Sequence, residues 1–468
     1  MKSSKPPVSA KPSMEIISGP ILAEVHALSH EGRGIASVPK INGKTVFIDD
    51  ALPGETVEIQ YLSRRGKFDE AKTLNVLIPS EHRVKPECPS FGICGGCALQ
   101  HLEISQQVLH KQSVLKNHLE HFGKISPEIW LEPLIGPTWG YRKKARLGVK
   151  YVFKKGGALV GFRERQGKYL MDMNECAVLH PSVGQKIPEL RNLISQLDAK
   201  DSIPQIEVSI DDHVTALVFR HLNDLSVGDL EKLINFGQAQ NFWIYLQPKG
   251  PETVHCIYGN SEEGEEGKEG KKLSYSHPDH GIEIKFSPQD FTQVNSEINL
   301  KMVNQALDLL DLKPEDKILD FFCGLGNFTL PMAKKVQSVL GIEGDIPMVK
   351  KALENAKLNN LNDLNNINFL ATNLFEKDWQ EKIKNDLTKY NKVLLDPPRS
   401  GAEEVVNFIG QNKIPRIVYV SCNPATLARD AGILVHQYGY RLVKAGIMDM
   451  FPHTAHVESM ALLVREKK

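Results

Sequence analysis

The chain has 468 residues, more than one hydrophobic core usually supports, so two to four domains are expected. Its 41% hydrophobic, 24% charged and 7% aromatic residues exclude a disordered or fibrous chain. With 57 basic and 57 acidic side chains the formal net charge is zero, so a nucleic-acid partner would have to be met by local clusters of charge.

Residues 1–13 are polar and proline-rich, and no stretch approaches the ~18 uninterrupted apolar residues of a membrane span. A cytoplasmic protein with no membrane partner is expected. Segment 16–80 then reads as short β-rich runs, AEVHALS, KTVFIDD and ETVEIQYLS, punctuated by Asn42-Gly43 and Pro53-Gly54. This pattern predicts a small OB-like β-barrel, a fold used both to bind RNA and as plain structure.

Segment 81–285 reads as a central mixed α/β region. It opens on a cysteine-rich stretch, continues with a helical pattern over 106–121, and becomes β-rich over 141–258 around a candidate helix at 225–236. Basic clusters occur at Arg64, Arg65 and Lys67, at Arg142, Lys143, Lys144 and Arg146, and at Arg163, Arg165 and Lys168. Each is a candidate phosphate contact or simply a solvated face. Segment 259–272, almost wholly Glu, Gly and Lys, predicts a disordered acidic insertion.

Seven cysteines, an odd number in a long chain with no export signal, favour metal-bound or catalytic thiols over a disulfide framework. Cys88, Cys94 and Cys97 form C-x5-C-G-G-C, and Cys176 is placed to supply a fourth thiolate. Four cysteines suit zinc or a [4Fe-4S] cluster, and incidental cysteines are a further reading. A cluster would be structural here.

Over 286–468, apolar strand-like runs (KILDFF, SVLGIEG, NINFLAT, KVLLDPP, RIVYVSC, RLVKAGIM, SMALLV) alternate with helical patterns. That alternation predicts an α/β doubly wound sheet with ligands at the carboxyl ends of its strands. After the buried strand KILDF come the turn Cys323-Gly324-Leu325-Gly326-Asn327 and a helix, and Glu343 ends the next strand, where its carboxylate can take hydrogen bonds from ribose hydroxyls. A nicotinamide nucleotide is the weaker reading, because a third glycine is missing. Asp396-Pro397-Pro398-Arg399 puts a carboxylate and a stiff backbone at the next strand end.

Cys422 ends the strand RIVYVS and precedes Asn423-Pro424, so it should project over the same rim. Carbon 5 of uracil is a poor nucleophile; a thiolate adding at carbon 6 makes it an enolate able to attack a methyl sulfonium, and a base must then remove the carbon 5 proton. Glu458, at the start of the last strand, is the candidate base. Cytosine could use the same chemistry, an inert buried thiol is the plain alternative for Cys422, and Cys323 competes for its role.

Taken together, Phe291-Thr292-Gln293-Val294-Asn295, the turn 320–328, Asp396-Pro397-Pro398-Arg399, Ser421-Cys422-Asn423-Pro424 and His456-Val457-Glu458-Ser459 resemble the RNA uracil-5-methyltransferases over nearly the whole chain. The resemblance implies a Rossmann-like S-adenosylmethionine-dependent catalytic domain, a TRAM barrel at the N-terminus, and 23S rRNA or its assembly intermediate as substrate. It further implies donor contacts from Gln293, Phe322, Asn327, Glu343, Asn373 and Asp396, with Cys422 as nucleophile and Glu458 as base. Cys88, Cys94, Cys97 and Cys176 match the [4Fe-4S] ligands of the ribosomal members; transfer-RNA members typically lack both barrel and cluster. Pro398 and the acidic insertion depart from the family pattern. A tRNA methyltransferase, a non-catalytic RNA-binding or assembly factor, and an iron-sulfur redox protein are the competing readings.

Overall fold

The structure, a computed structural model, describes residues 19–38, 43–259, 272–361, 366–376, 379–383 and 389–466. The expected acidic insertion, save its two end residues, and the side chain of Arg64 lie outside the described residues. The chain divides into two compact units, one running to Pro86 with Ala98–Gln106, the other made of Glu87–Cys97 and Gln107–Lys468.

In the first unit β1 (Ile21–Leu28), β2 (Gly34–Ser37), β3 (Thr45–Asp49), β4 (Thr56–Arg64) and β5 (Asp69–Ile78) close into a barrel of order β1-β2-β3-β5-β4. Strand alternation explains it: Ala23 and Val25 point inward between exposed Leu22, Glu24 and His26, and meet Val46, Ile48, Val57 and Ile59 in the interior. Arg65 is spent on Glu70 at 3.0 Å.

The second unit takes in most of α1 (Ile104–His118), then β6 (Ile129–Trp130), β7 (Lys144–Val152) and β8 (Gly157–Gly161). After α2 (Pro181–Gly184) and α3 (Ile187–Gln196) come β9 (Gln205–Ile210), β10 (Thr215–Arg220), α4 (Val227–Gln240), β11 (Phe242–Gln247) and β12 (His255–Tyr258). Strands β7 to β12 form a six-stranded sheet of order β12-β11-β10-β9-β7-β8. Helix α4 starts where Ser226 Oγ accepts the Asp229 N–H at 3.1 Å, and it ends at left-handed Asn241.

The hairpin of β13 (Leu273–His277) and β14 (Ile282–Phe286) leads to α5 (Ser296–Leu310), capped by Asn295. The principal sheet then builds up from β15 (Lys317–Phe321), α6 (Thr329–Ala333), β16 (Ser338–Glu343), α7 (Ile346–Leu358), β17 (Ile367–Ala371) and α8 (Trp379–Ile383). It continues with β18 (Lys392–Leu395), α9 (Glu403–Gln411), β19 (Arg416–Ser421), α10 (Pro424–Tyr438), β20 (Arg441–Met448) and β21 (Glu458–Val464). The eight strands lie in order β17-β16-β15-β18-β19-β21-β20-β6. Counted from β15 this is 3-2-1-4-5-7-6, with β21 antiparallel to both its neighbours.

Strands buried on both faces, such as KILDF and KVLL, need helices on both sides. One face packs against α5, α6, α7 and the β13–β14 hairpin through Met302, Leu307, Met332 and Val339; the other packs against α8, α9, α10 and α1 through Trp379, Phe408, Leu427 and Leu115. Strand order reverses between β15 and β18, so a crevice opens at their carboxyl ends. No helix among the described residues is long and apolar enough to cross a membrane.

Candidate active site

The rim at the carboxyl ends of β15, β16, β18 and β19 gathers most of the expected residues. Phe322 takes a left-handed conformation (φ 64°), turning the chain sharply out of β15, and its N–H and that of Cys323 both donate to the Ile342 carbonyl. Gly324 and Gly326 carry positive φ, and a side chain at Gly324 would meet only open space. Across the turn, Glu343 Oε2 accepts the Gly324 N–H at 3.1 Å, while Oε1 accepts those of Gly344 at 2.7 Å and Asp345 at 3.1 Å. Its carboxylate thus sits at the mouth of the glycine turn.

Asn327 is differently used. Its Oδ1 accepts from Tyr275 at 3.0 Å, from Asn299 at 3.1 Å and sits 2.9 Å from His277 Nε2, while its Nδ2 donates to Asn299 at 2.9 Å. The side chain staples the turn to β13 and α5, which leaves the backbone of Asn327 for any ligand. Asn373, exposed beyond β17, turns its amide back on Phe375 N and Glu376. Gln293 lies half-buried in the segment before α5. Phe322 and Phe375 face one another at 6.2 Å across a cleft of about 350 Å³ that also takes in Ser400 to Val405 and Arg429.

Strand register brings Cys422 and Glu458 together. Antiparallel β19 and β21 pair Ser421 with Ser459, so Cys422 and Glu458 are the next residues outward on adjacent strands. Asn423 fixes the thiol from the other side: Oδ1 caps α10 by accepting the Ala425 N–H at 3.1 Å, and Nδ2 donates to the Arg399 carbonyl at 2.9 Å. That last bond ties the cysteine turn to the Asp-Pro-Pro-Arg loop. Asp396 follows β18 directly, its N–H donating to Phe321 O at 3.4 Å.

These groups perturb one another. Burial, then the charges of Glu458 and Asp396, push the Cys422 thiol up to about 11, with Arg399 opposing. Glu458 is raised to about 8 by burial and by Asp396, against Arg399 and Lys111, and burial raises Asp396 to about 7. Both carboxyls keep part of their surface open, so water entering the rim moderates these shifts. A thiol beside two carboxyls that themselves gain and lose protons near neutrality, and so can take the thiol's proton, is equipped for addition followed by proton abstraction. Cys323, in contrast, is 4% exposed, beneath the turn and packed where a side chain on Gly341 would strike it.

Several residues at the site were not singled out from the sequence. Asp320, fully buried in β15 and raised to about 8, accepts from Thr329 Oγ1 at 2.5 Å and so anchors α6 to the glycine turn. Loop 449–457, which leads into Glu458, is gripped by Gln107, Lys111, Trp139 and Tyr141. The detectable signal was Lys111 itself, a charge on the apolar face of α1 between Val108 and Leu115.

The central basic cluster is not a free cationic face. Lys144 is half-buried, is pulled down to about 8 by that desolvation, and donates to the carbonyls of Pro288 and Asp290; Lys143 pairs with Asp212 at 3.1 Å and Arg146 with Glu207 at 2.6 Å. Arg163 and Arg165 lie on a hairpin held by Cys94 bridging to Glu164 and by Gly95 N–H donating to Arg163 O at 2.8 Å. Arg165 stacks over Phe91 and donates to the Cys97 carbonyl at 2.9 Å.

Among the described residues no three Cys, His, Asp or Glu side chains converge tightly enough to hold a single metal ion. Cys88, Cys94 and Cys176 nonetheless feel one another's charge. Cys94 Sγ accepts the Gly96 N–H at 3.4 Å, and the N–H groups of Val178 and Leu179 face Cys176.

Residues 104–466 match the family described as tRNA (Uracil-5-)-methyltransferase, and residues 21–60 match the TRAM domain. The chain is 52% identical over 446 residues, 94% of its length and 96% of the relative's, to the 23S rRNA (uracil(1939)-C(5))-methyltransferase RlmD of Francisella tularensis subsp. novicida. It is 51% identical over 450 residues, 96% and 97% of the two chains, to the protein of that name from Nitrosococcus oceani. Among solved structures, the Pyrococcus abyssi tRNA (uracil-54, C5)-methyltransferase in complex with S-adenosyl-L-homocysteine shares the fold at a TM-score of 0.69 and 22% identity, over 95% of this chain and all of that one.

Proposed function

The chain belongs to the tRNA (uracil-5-)-methyltransferase family, and from that membership we propose that it methylates carbon 5 of a uridine in 23S rRNA, using S-adenosylmethionine. The uridine is the one its relatives carry in their name, uracil 1939. The observation that carries the reading is the register that sets Cys422 beside Glu458 at the rim, with Asp396 and the glycine turn adjacent.

The donor supplies an electrophilic methyl carbon on a sulfonium. Glu343, at the mouth of the glycine turn, would accept from its ribose hydroxyls, and Phe322, Asn327, Asn373, Gln293 and Asp396 would supply its remaining contacts. Cys422 sulfur forms a bond to carbon 6 of the uracil, its proton passing to a rim carboxylate, and the carbon 5–carbon 6 electron pair moves onto oxygen 4. Carbon 5 then takes the methyl carbon, whose former bonding pair leaves with the thioether. Glu458 accepts the carbon 5 proton, the released pair rebuilds the double bond, and the carbon 6–sulfur bond breaks to return the Cys422 thiolate.

For the base to reach this rim it must leave its stack, a cost that contacts from the TRAM barrel and the basic hairpin at Arg163, Arg165 and Lys168 would offset. Cys88, Cys94, Cys97 and Cys176 would hold a [4Fe-4S] cluster. All four belong to the second unit, and backbone N–H groups aimed at two of the sulfurs suit thiolate ligation. Held by these cysteines, a cluster would brace the Arg163–Arg165 hairpin, to which Cys94 and Gly95 are already bonded, and methyl transfer would need no redox chemistry from it.

The test is incubation with labelled methyl donor and either undermethylated 23S rRNA or total tRNA, followed by nucleoside analysis. Label in 5-methyluridine from rRNA alone is expected; label in tRNA alone would reassign the substrate, and none in either would overturn the enzyme reading.

A further inference from the structure

We infer that Lys111 is a positioning residue for Glu458: its buried ammonium, clamped between the Asp449 carboxylate and the Phe451 carbonyl, fixes the loop leading into the base and gives that carboxylate a nearby cation. The inference rests on the reading of Glu458 as the base.

Lys111 is fully buried, and its Nζ donates to Asp449 Oδ1 at 2.6 Å and to Phe451 O at 2.9 Å. A buried ion pair is a weak source of stability, since apolar side chains of similar volume do as well or better. Its use here is better sought in what it holds. Loop 449–457 joins Met448 at the end of β20 to Glu458 at the start of β21, residues that pair across the two strands. A hairpin needs only two residues to turn, so the longer connection serves something other than closure.

The loop is strained. His453 has φ 66°, a left-handed conformation costly for a residue with a side chain. It is held there by Gln107 Oε1, which accepts its N–H at 2.8 Å, and by stacking on Trp139 at 3.8 Å, while Tyr141 OH donates to Pro452 O at 3.0 Å. Gln107 and Lys111 lie one turn apart on α1, so a single helix face secures both halves of the loop. A strained loop pinned by a separate helix is how a neighbouring side chain is held in one place.

Charge points the same way. The groups that act on Glu458 are Asp396, which opposes its ionisation, and Arg399 and Lys111, which favour it. Cys422 faces it from β19, and His456 on the loop is held toward its neutral form by burial, then by Arg399, Lys111 and Arg142. Arg399 is exposed and follows the Asp-Pro-Pro turn, whereas Lys111 is enclosed and its field is little screened.

The experiment uses the full chain with undermethylated 23S rRNA in single turnover, recording formation and decay of the covalent protein–RNA adduct between about pH 5.5 and 9. Lys111→Met with Asp449→Leu replaces the pair by apolar bulk. Donor affinity and the rate of adduct formation should stay within about twofold, adduct decay should slow at least tenfold, and the acid limb of decay should move to higher pH. Lys111→Gln, which keeps a hydrogen-bond donor on a side chain one bond shorter and loses the charge, should move the acid limb to higher pH, and it decides the matter if the double variant does not fold. Decay at the parent rate with an unmoved acid limb overturns the inference. Glu458→Gln runs beside them: if it releases product normally, the base reading falls whatever Lys111 does, and if it traps the adduct while the Lys111 variants neither slow decay nor move its acid limb, this inference alone falls.

Discussion

Replacing Glu458 by glutamine should stabilise the protein while abolishing turnover, and the gain should depend on pH. Burial, followed by the charge of Asp396, lifts this carboxyl from 4.5 to about 8. A raised carboxyl keeps its proton longer in the folded than in the unfolded chain, so between those two values the native state holds more protons and stability falls as pH rises. Below 4.5 the penalty is absent, and above about 8 it is complete. At about 1.36 kcal/mol per pH unit the span has an upper bound of about 5 kcal/mol, reduced to about 2 kcal/mol where water reaches a half-buried group. Glutamine matches the shape and never ionises. The variant and parent should therefore melt together at pH 4.5, and the variant should melt roughly 2–5 °C higher at pH 8. Thermal unfolding of both proteins, without RNA or donor, at the two pH values measures this. An equal gain at both, or a more stable parent at pH 8, would refute the electrostatic account of the rim.

Cys94→Ser should lower bound iron and remove visible absorbance after anaerobic reconstitution, with RNA affinity falling more than donor affinity; parent-like iron content would exclude Cys94 as a ligand. Arg399→Ala removes a cation that opposes the upward shift of Cys422, so adduct formation at pH 7 should slow about tenfold and the gap should narrow as pH rises; a pH-independent gap would point to lost RNA contact. Asn327→Ala strips partners from Tyr275, His277 and Asn299 and should cost about 1–3 kcal/mol of stability, with weaker donor binding read by calorimetry.

What the sequence disclosed about this site followed from strand ends. Apolar runs that stop at Phe321, Glu343, Leu395 and Ser421 mark the same edge of a parallel sheet, so residues placed just beyond them had to share a rim. Side-chain direction was less legible. Lys144 read as a surface cation among Arg142, Lys143 and Arg146, and strand alternation in β7 does put it on the face of exposed Arg146, yet the carbonyls of Pro288 and Asp290, from a segment about 145 residues later, take up its ammonium. Asn327 occupies the turn as expected, but its amide serves the β13 hairpin, a segment about 50 residues earlier that no local pattern links to it. Lys111 and Asp449 lie 338 positions apart. Periodicity shows that a face is buried; it does not name the partner across the fold.

The most direct test of the chemistry is a 23S rRNA fragment carrying 5-fluorouridine at the target position, incubated with the full chain and S-adenosylmethionine and then digested for peptide mass mapping. Fluorine cannot leave carbon 5 as a proton can, so the adduct should persist. Nucleotide should be attached to the peptide containing Cys422, dependent on the methyl donor and absent in Cys422→Ala. Attachment at Cys323, or methyl transfer that proceeds in Cys422→Ala, would contradict Cys422 as the nucleophile.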